Sequence, residues 1–179
     1  MPRNPRYDIL FQPVKIGPVT APNRFYQVPH CTGMGFDLPD SLVRMREIKA
    51  EGGWGVVNTE YCSIHPSSED SPYRQPTLWD DGDIAVLARQ AEAIHRHGAL
   101  AGIELWHGGV KAGNRGSRET ALSPAGGPQH STSYPYSYPI QTRAMDRQDI
   151  ADFLRWHAAA ARRAMQAEFD IIYCYAGHG

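Results

Sequence analysis

Residues 23–31 read Asn-Arg-Phe-Tyr-Gln-Val-Pro-His-Cys, and the other predicted elements are arranged around this stretch. The aromatic and aliphatic run is typical of a β-strand, which Pro29 ends because proline has no N–H to donate. His30 and Cys31 therefore follow the C-terminal end of a strand. In parallel α/β folds, functional residues lie at that end of the strands.

Downstream of this stretch, helical and strand patterns alternate. The predicted strands are a hairpin around Gly17-Pro18 and strands over 24–30, 55–62, 100–107 and 169–175. The first predicted helix runs from Asp40 or Ser41 to Gly52-Gly53, with Leu42, Met45 and Ile48 facing inward; the second is capped by Asp81 or Asp83 and ends at Gly98, with Ile84, Leu87, Ala88, Ala91 and Ile94 facing inward. The third is capped by Asp146, with Ile150, Phe153, Leu154, Ala158, Ala161 and Met165 facing inward.

This alternation predicts a parallel sheet with right-handed helical crossovers. Each of its strands ends in polar or reactive side chains, which converge at one edge of such a sheet. The pattern fits the first four strands of a (β/α)8 barrel, and a complete barrel needs about 250 residues. We therefore expect residues 1–179 to be the N-terminal half of a barrel within a longer protein.

The composition is that of an ordinary globular protein. Of 179 residues, 41% are hydrophobic and 21% are charged, and the formal net charge is −1. This charge gives no electrostatic reason to expect nucleic acid or a membrane surface as a partner, and no apolar run approaches the roughly 20 residues of a spanning helix. Three cysteines and a polar N-terminus without signal-peptide features predict a cytoplasmic protein.

The segment over 108–144 has no usable periodicity and is rich in Gly, Pro, Ser and Tyr. A loop of this length is either a functional lid or disordered. The tyrosines over 134–138 favour a packed loop, because exposed aromatic surface is costly.

Cys31 is a candidate nucleophile or covalent attachment point, which the adjacent His30 could activate. The alternative is a small buried residue, as cysteine often is. For Cys62 and Cys174, which lie within predicted strands, we expect a core position.

The other strand ends supply further candidates, each with a structural alternative. Tyr61 lines a pocket or only packs. Glu104 faces the barrel interior, where it binds a ligand with N–H donors or forms a salt bridge. Tyr175 and His178 form a proton-handling pair or are structural. No local metal-ligand spacing and no nucleotide-binding motif is present, so we expect no metal site here.

The most specific motifs are Asn-Arg-Phe-Tyr-Gln-Val-Pro-His-Cys (23–31), Lys-Ala-Glu-Gly-Gly-Trp (49–54), Asn-Thr-Glu-Tyr-Cys-Ser-Ile (58–64), Gly-Ala-Leu-Ala-Gly-Ile-Glu-Leu-Trp (98–106) and Phe-Asp-Ile-Ile-Tyr-Cys-Tyr-Ala-Gly-His (169–178). Through them the chain resembles the old yellow enzyme superfamily of FMN-dependent (β/α)8 oxidoreductases. Within that superfamily it is similar to the trimethylamine, dimethylamine and histamine dehydrogenases, which carry a 6-S-cysteinyl FMN.

The resemblance implies a role for each candidate. Cys31 would form the thioether to flavin C6, and Pro29 and His30 would lie along the isoalloxazine ring. Glu104 would accept hydrogen bonds from the pyrimidine edge of the flavin. The resemblance also implies that Tyr61 is one wall of an aromatic bowl for the substrate ammonium, and that Tyr175 and His178 belong to a Tyr-His-Asp triad.

The implied reaction is oxidation of a small amine, with an electron-transfer flavoprotein as a typical acceptor. A [4Fe–4S] cluster and a homodimer are implied for a full-length parent only. One departure is His107, where the trimethylamine enzyme has tyrosine and the ene-reductases have histidine; another is the divergent segment over 71–75. Two alternatives remain: an ene-reductase or demethylase with non-covalent FMN, and an inactive truncated fragment.

Overall fold

The computed structural model describes residues 4–69, 74–129 and 140–177. The strands are β1 (Val14–Ile16), β2 (Val19–Ala21), β3 (Tyr26–Gln27), β4 (Val56–Ser63), β5 (Leu100–Trp106), β6 (Leu122–Ser123), β7 (Gly127–Gln129), β8 (Ile140–Ala144) and β9 (Ile171–Cys174). The α-helices are α1 (Pro39–Glu51), α2 (Ile84–His95) and α3 (Arg147–Gln166). β1 and β2 form the predicted antiparallel hairpin.

The main sheet has the strand order β3-β4-β5-β9, and every pairing in it is parallel. One helix follows each of the first three strands, as the alternation of patterns predicts. The parallel α/β architecture is therefore confirmed, as an open sheet rather than a closed barrel within the described residues.

One face of the sheet packs against the helices and forms the core. Strand residues on this face alternate with residues on the opposite face, as the pleat requires. The core includes Val57, Ala101, Ile103 and Leu105 from the strands, and Leu87, Ala91, Ile94, Ala160 and Ala164 from the helices. The predicted inward stripe of α2 is confirmed.

α1 differs from its predicted start and from its predicted inner face. It begins at Pro39, which suits the first turn because proline lacks the N–H that would be unpaired there. Neither Asp40 nor Ser41 is its N-cap. Gly53 ends the helix with φ +98°, as predicted, but Ile48 is 52% exposed.

The prediction of which face of α3 points inward is also wrong. The predicted N-cap, Asp146, is confirmed and forms a capping box with Asp149. Ile150, Leu154 and Met165 are all more than half exposed. The buried residues are Ala160 and Ala164. Alanines let the helix lie close to the sheet, so a stripe of small residues is buried in place of the larger apolar one.

Regular structure also occurs in the segment that lacks periodicity. β8 pairs in parallel with β6 and antiparallel with β7 to make a small separate sheet. These strands are too short to produce a readable alternation. The predicted packing of the tyrosines over 134–138 lies outside the described residues.

The cysteine predictions divide. Cys62 is fully buried in the core, as expected, whereas Cys174 is exposed. Cys174 is the last residue of β9, and β9 is the edge strand of the sheet. No helix within the described residues is both long and apolar enough to cross a membrane.

Asn58 and Gly102 form a close contact that fixes β3, β4 and β5 together. The Asn58 Nδ2 amide donates to the Gln27 carbonyl at 2.5 Å. A Cβ atom at Gly102 would lie 1.9 Å from Asn58 Oδ1. Only glycine therefore fits opposite this side chain.

We predict that Gly102→Ala lowers the free energy of unfolding by about 1–3 kcal/mol, because Asn58 would have to give up its bond to β3. The measurement is urea denaturation of the wild type, both single variants and Asn58→Ala/Gly102→Ala. In the Asn58→Ala background, Gly102→Ala should lower the free energy of unfolding much less. An equal cost in both backgrounds would contradict this contact as the cause.

Candidate active site

Three neighbouring strands present side chains to the helix-free face of the sheet at the same level. Tyr61 of β4 pairs with Glu104 of β5, and Glu104 pairs with Tyr173 of β9. Paired positions share a face, and the next pair, Cys62 and Leu105, lies in the helix-facing core. Glu104 therefore lies on the helix-free face, with tyrosines on both sides of it; that this face is the interior of a barrel stays a prediction.

A β-bulge in β4 makes this arrangement possible. Asn58 pairs with Gly102, and the next recorded pair is Tyr61 with Glu104. β4 thus advances from 58 to 61 while β5 advances from 102 to 104, so β4 holds one extra residue. The extra residue reverses the alternation of side chains, which brings Tyr61 onto the same face as Asn58.

The Glu104 carboxyl group is half-buried in this setting. Burial raises its pKa, and neither a cation nor a hydrogen bond from the described residues offsets the effect. A carboxylate here needs an N–H donor to compensate for lost hydration. This side chain is therefore the strongest candidate on the sheet for contacting a polar ligand.

Aromatic rings surround Glu104. The Tyr61 and Trp106 ring centroids are 4.4 Å apart at an interplanar angle of 38°. The Tyr173 hydroxyl donates to the Tyr26 hydroxyl at 2.6 Å, which joins β9 to β3 across the two strands between them. Burial raises the pKa of Tyr173, and this hydrogen bond and the charge of Glu104 add to the increase.

The segment 29–31 leaves β3 toward the same cluster. β3 ends at Gln27, which is earlier than predicted, and the His30 amide donates to the Thr59 carbonyl at 3.3 Å. Pro29 is half-buried, whereas His30 and Cys31 are exposed. Within the described residues, Cys31 is therefore not the small buried residue of the alternative.

Tyr175 connects this segment to Glu104. Its amide donates to the Leu105 carbonyl at 3.1 Å. Burial raises the pKa of Tyr175, and the negative charges of Glu104 and Cys31 raise it further. The charges of both Glu104 and Cys31 thus act on Tyr175, whereas His178 lies outside the described residues.

Two buried ionic residues that carried no predicted role hold the cysteine segment in place. The Arg46 guanidinium donates from Nη2 to the His30 carbonyl at 2.5 Å. Glu60 accepts hydrogen bonds from the amide and hydroxyl of Thr32 and, at 3.1 Å, from the Gly35 amide. Both side chains are fully buried. In the sequence, Arg46 could have been recognised as a charged residue on the inner face of α1, one helical turn after Leu42 and one turn before Ala50.

A second buried polar group lies beyond the end of β5. The Ser67 hydroxyl is 2.8 Å from His65 Nδ1 and 3.0 Å from His107 Nε2. The amides of Ser67 and Gly109 donate to the Nδ1 atoms of His65 and His107. Each Nδ1 is therefore an acceptor, and in the neutral rings Nε2 carries the hydrogen. His107 thus donates to Ser67.

An open parallel α/β sheet with a thiol, a carboxylate and phenols at its strand ends fits part of a (β/α)8 barrel, in which functional residues lie at that end of the strands. The model of the NADH:flavin oxidoreductase / NADH oxidase family matches residues 9–179. The chain belongs to this family.

Known amine-oxidising enzymes are among its relatives. It is 40% identical to dimethylamine dehydrogenase of Hyphomicrobium sp. (strain x), over 99% of this chain and 24% of that protein. The structure of histamine dehydrogenase from Rhizobium sp. 4-9 matches with a TM-score of 0.92 and 46% identity, over 99% of this chain and 27% of the other. The 6-hydroxypseudooxynicotine amine oxidase of Pseudomonas geniculata N1 matches with 0.90 and 49%, over 98% and 26%. The chain thus spans about a quarter of these proteins.

We predict that His107 makes stability pH-dependent. Burial lowers its pKa to about 4, with smaller contributions from protonated His65 and His157. An unfolded histidine titrates near 6.5, so the unfolded state takes up a proton first as the pH falls, and stability is lost between about pH 6.5 and 4. The loss from this residue is of order 3 kcal/mol.

The measurement is the urea midpoint from pH 7.5 to 4 for the wild type, His107→Asn and the control His97→Asn, which alters an exposed histidine. The His107 variant should show a flatter profile than the other two proteins. Parallel profiles for all three would contradict the prediction.

Proposed function

We propose that the protein containing this chain is an FMN-dependent amine dehydrogenase whose flavin is covalently attached to Cys31. One observation carries the proposal: an exposed cysteine follows Pro29-His30 directly, and its charge acts on Tyr175 together with that of Glu104. The similarity to enzymes that act on dimethylamine, histamine and an amine of the nicotine type supports the substrate class.

The chemistry of the side chains fits FMN. Glu104 is an acceptor that lacks a donor among the described residues, and the pyrimidine edge of a flavin supplies an N–H. Cys31 would hold the ring by a thioether, and Pro29 and His30 would lie along it. When bound, FMN supplies the capacity to accept two electrons from the substrate.

The remaining residues would bind and orient the amine. Tyr61, backed by Trp106, offers a ring face to a substrate ammonium, an interaction of about 0.5–2 kcal/mol. Tyr175 would hold or move a proton at its hydroxyl oxygen, with His178 as its partner. Both roles require the amine to lie between the strand ends of β4 and β9.

The partners belong to the full-length protein. We propose a small amine as the substrate and an electron-transfer flavoprotein as the electron acceptor. A [4Fe–4S] cluster, if present, would be bound outside residues 1–179. We also propose a cytoplasmic homodimer.

The first test is the mass of the full-length protein under denaturing conditions. We predict a flavin-sized adduct on the peptide that contains Cys31. Cys31→Ala should bind flavin that acid releases, whereas the matched variant Cys174→Ala, which removes another exposed thiol, should keep the adduct. Flavin that is released from the wild type by acid would instead indicate an ene-reductase or demethylase.

A second prediction concerns Tyr175. Replacing it with phenylalanine removes the proton-carrying hydroxyl but keeps the ring, so we expect the rate of flavin reduction by the amine to fall about 10²- to 10⁴-fold. Stopped-flow absorbance of the flavin measures this rate directly. Tyr7→Phe, at an exposed tyrosine, is the control. An unchanged rate in Tyr175→Phe would remove Tyr175 from the mechanism.

A further inference from the structure

Two buried side chains of opposite charge form hydrogen bonds with the backbone on either side of Cys31. Arg46 binds the carbonyl of His30, and Glu60 binds the amide of Thr32. Gly35 continues the same turn, and a Cβ atom there would lie 2.6 Å from Glu60 Oε2 and 2.2 Å from Pro76. The backbone on both sides of the sulfur therefore has little freedom to move.

Arg46 has hydrogen-bonding capacity that these contacts do not use. Its Nη1 lies 3.4 Å from Gln27 Oε1, and its buried Nε has no hydrogen-bond partner among the described residues. A buried guanidinium with an unused N–H is costly for stability alone. It is better explained by an anionic group that forms nearby.

Cys31 can supply that group, because it directly follows the residue whose carbonyl binds Arg46. Burial lowers the pKa of Arg46, and the charges of Glu60 and Cys31 oppose the decrease. The attraction is mutual, so Arg46 favours the thiolate of Cys31. Glu60, Glu104 and Tyr175 oppose the thiolate when they are charged, and His30 lies beside it in sequence.

We propose that Arg46 is a positioning residue for flavin attachment, which fixes the segment that carries Cys31 and stabilises its reactive thiolate. Glu60 also fixes the segment that carries Cys31, but its negative charge disfavours the thiolate. This inference rests on the proposed function, because it assumes that Cys31 is the attachment point.

The attachment reaction needs both effects. A bond forms between the Cys31 sulfur and flavin C6, the thiol proton and the C6 proton are released, and two electrons remain to be removed. Dioxygen is a sufficient acceptor, since it takes up the two electrons and two protons as hydrogen peroxide. Arg46 acts before the bond forms, because it stabilises the thiolate of Cys31 and fixes the position of the segment that carries it.

The test measures the thiol directly, without flavin. Full-length protein produced under riboflavin limitation is alkylated with iodoacetamide over pH 5–10, and the Cys31 peptide is quantified by mass spectrometry in a Cys174→Ser background. The variants are Arg46→Met, Arg46→Lys and Glu60→Gln. The control is Arg44→Met, on the exposed face of the same helix.

Arg46→Met should raise the pH midpoint of alkylation by about one unit, which makes alkylation about 10-fold slower at pH 7. Arg46→Lys keeps the charge and should stay near the wild type, as should Arg44→Met. Glu60→Gln keeps an acceptor but loses the charge, so its midpoint should fall. In riboflavin-replete cells, Arg46→Met should also carry several-fold less covalent flavin.

An unchanged midpoint in Arg46→Met would overturn the inference. If that variant does not fold, Glu60→Gln decides, because an unchanged or raised midpoint there is equally contradictory. The proposed function fails separately: a wild type without any adduct on Cys31 would refute flavin attachment, while the alkylation profiles would still decide whether Arg46 stabilises the thiolate.

Discussion

The β-bulge between Asn58 and Tyr61 is the constraint on which the site depends. Strict alternation from Val57, which lies in the core, would send Tyr61 toward the helices and leave Glu60 beside Glu104. One extra residue reverses this order. Tyr61 then lies on the helix-free face beside Glu104, and Glu60 accepts hydrogen bonds from the loop that follows β3. A single local irregularity therefore supplies both a wall of the site and the support beneath its cysteine.

Burial affects the charged groups of the chain in two different ways. It raises the pKa of Glu104 and lowers that of His107, so both side chains are pushed toward their neutral forms. Arg46 and Glu60 are buried more completely, and each forms hydrogen bonds with the backbone of the same loop: Arg46 donates to the His30 carbonyl, and Glu60 accepts from the Gly35 amide. Glu104 thus has no hydrogen-bond partner among the described residues, whereas Arg46 and Glu60 have partners in the loop that they support.

Much of this could be predicted from sequence, for identifiable reasons. The stripe of α2 and the parallel order of strands come from long, regular patterns, and these are correct. The face of α3 was wrong because two of its faces are apolar, and only the tertiary packing selects Ala160 and Ala164. The bulge leaves no periodic signal. Arg46 was missed because its importance lies in contacts with residues 16 and more positions away in sequence.

The position of Cys31 was predicted at two levels. Its place at a strand end follows from Pro29, whereas its association with a flavin came from the resemblance of the whole motif. Its support could not be inferred from either, because the contact of Glu60 with Thr32 joins residues 28 positions apart. Local patterns give the order of elements, and long-range polar contacts give the geometry of the site.

The hydrogen bond between Tyr26 and Tyr173 has a mechanical consequence. β3 consists of two residues and is joined to β4 by few rungs, so by itself it would be a pliable edge. The hydrogen bond between the two hydroxyls connects β3 to β9 at the opposite edge of the sheet. Flattening the curvature of the sheet would lengthen this hydrogen bond. Because Tyr26 lies five residues before Cys31 and Tyr173 two residues before Tyr175, this hydrogen bond limits how far apart the two segments can move.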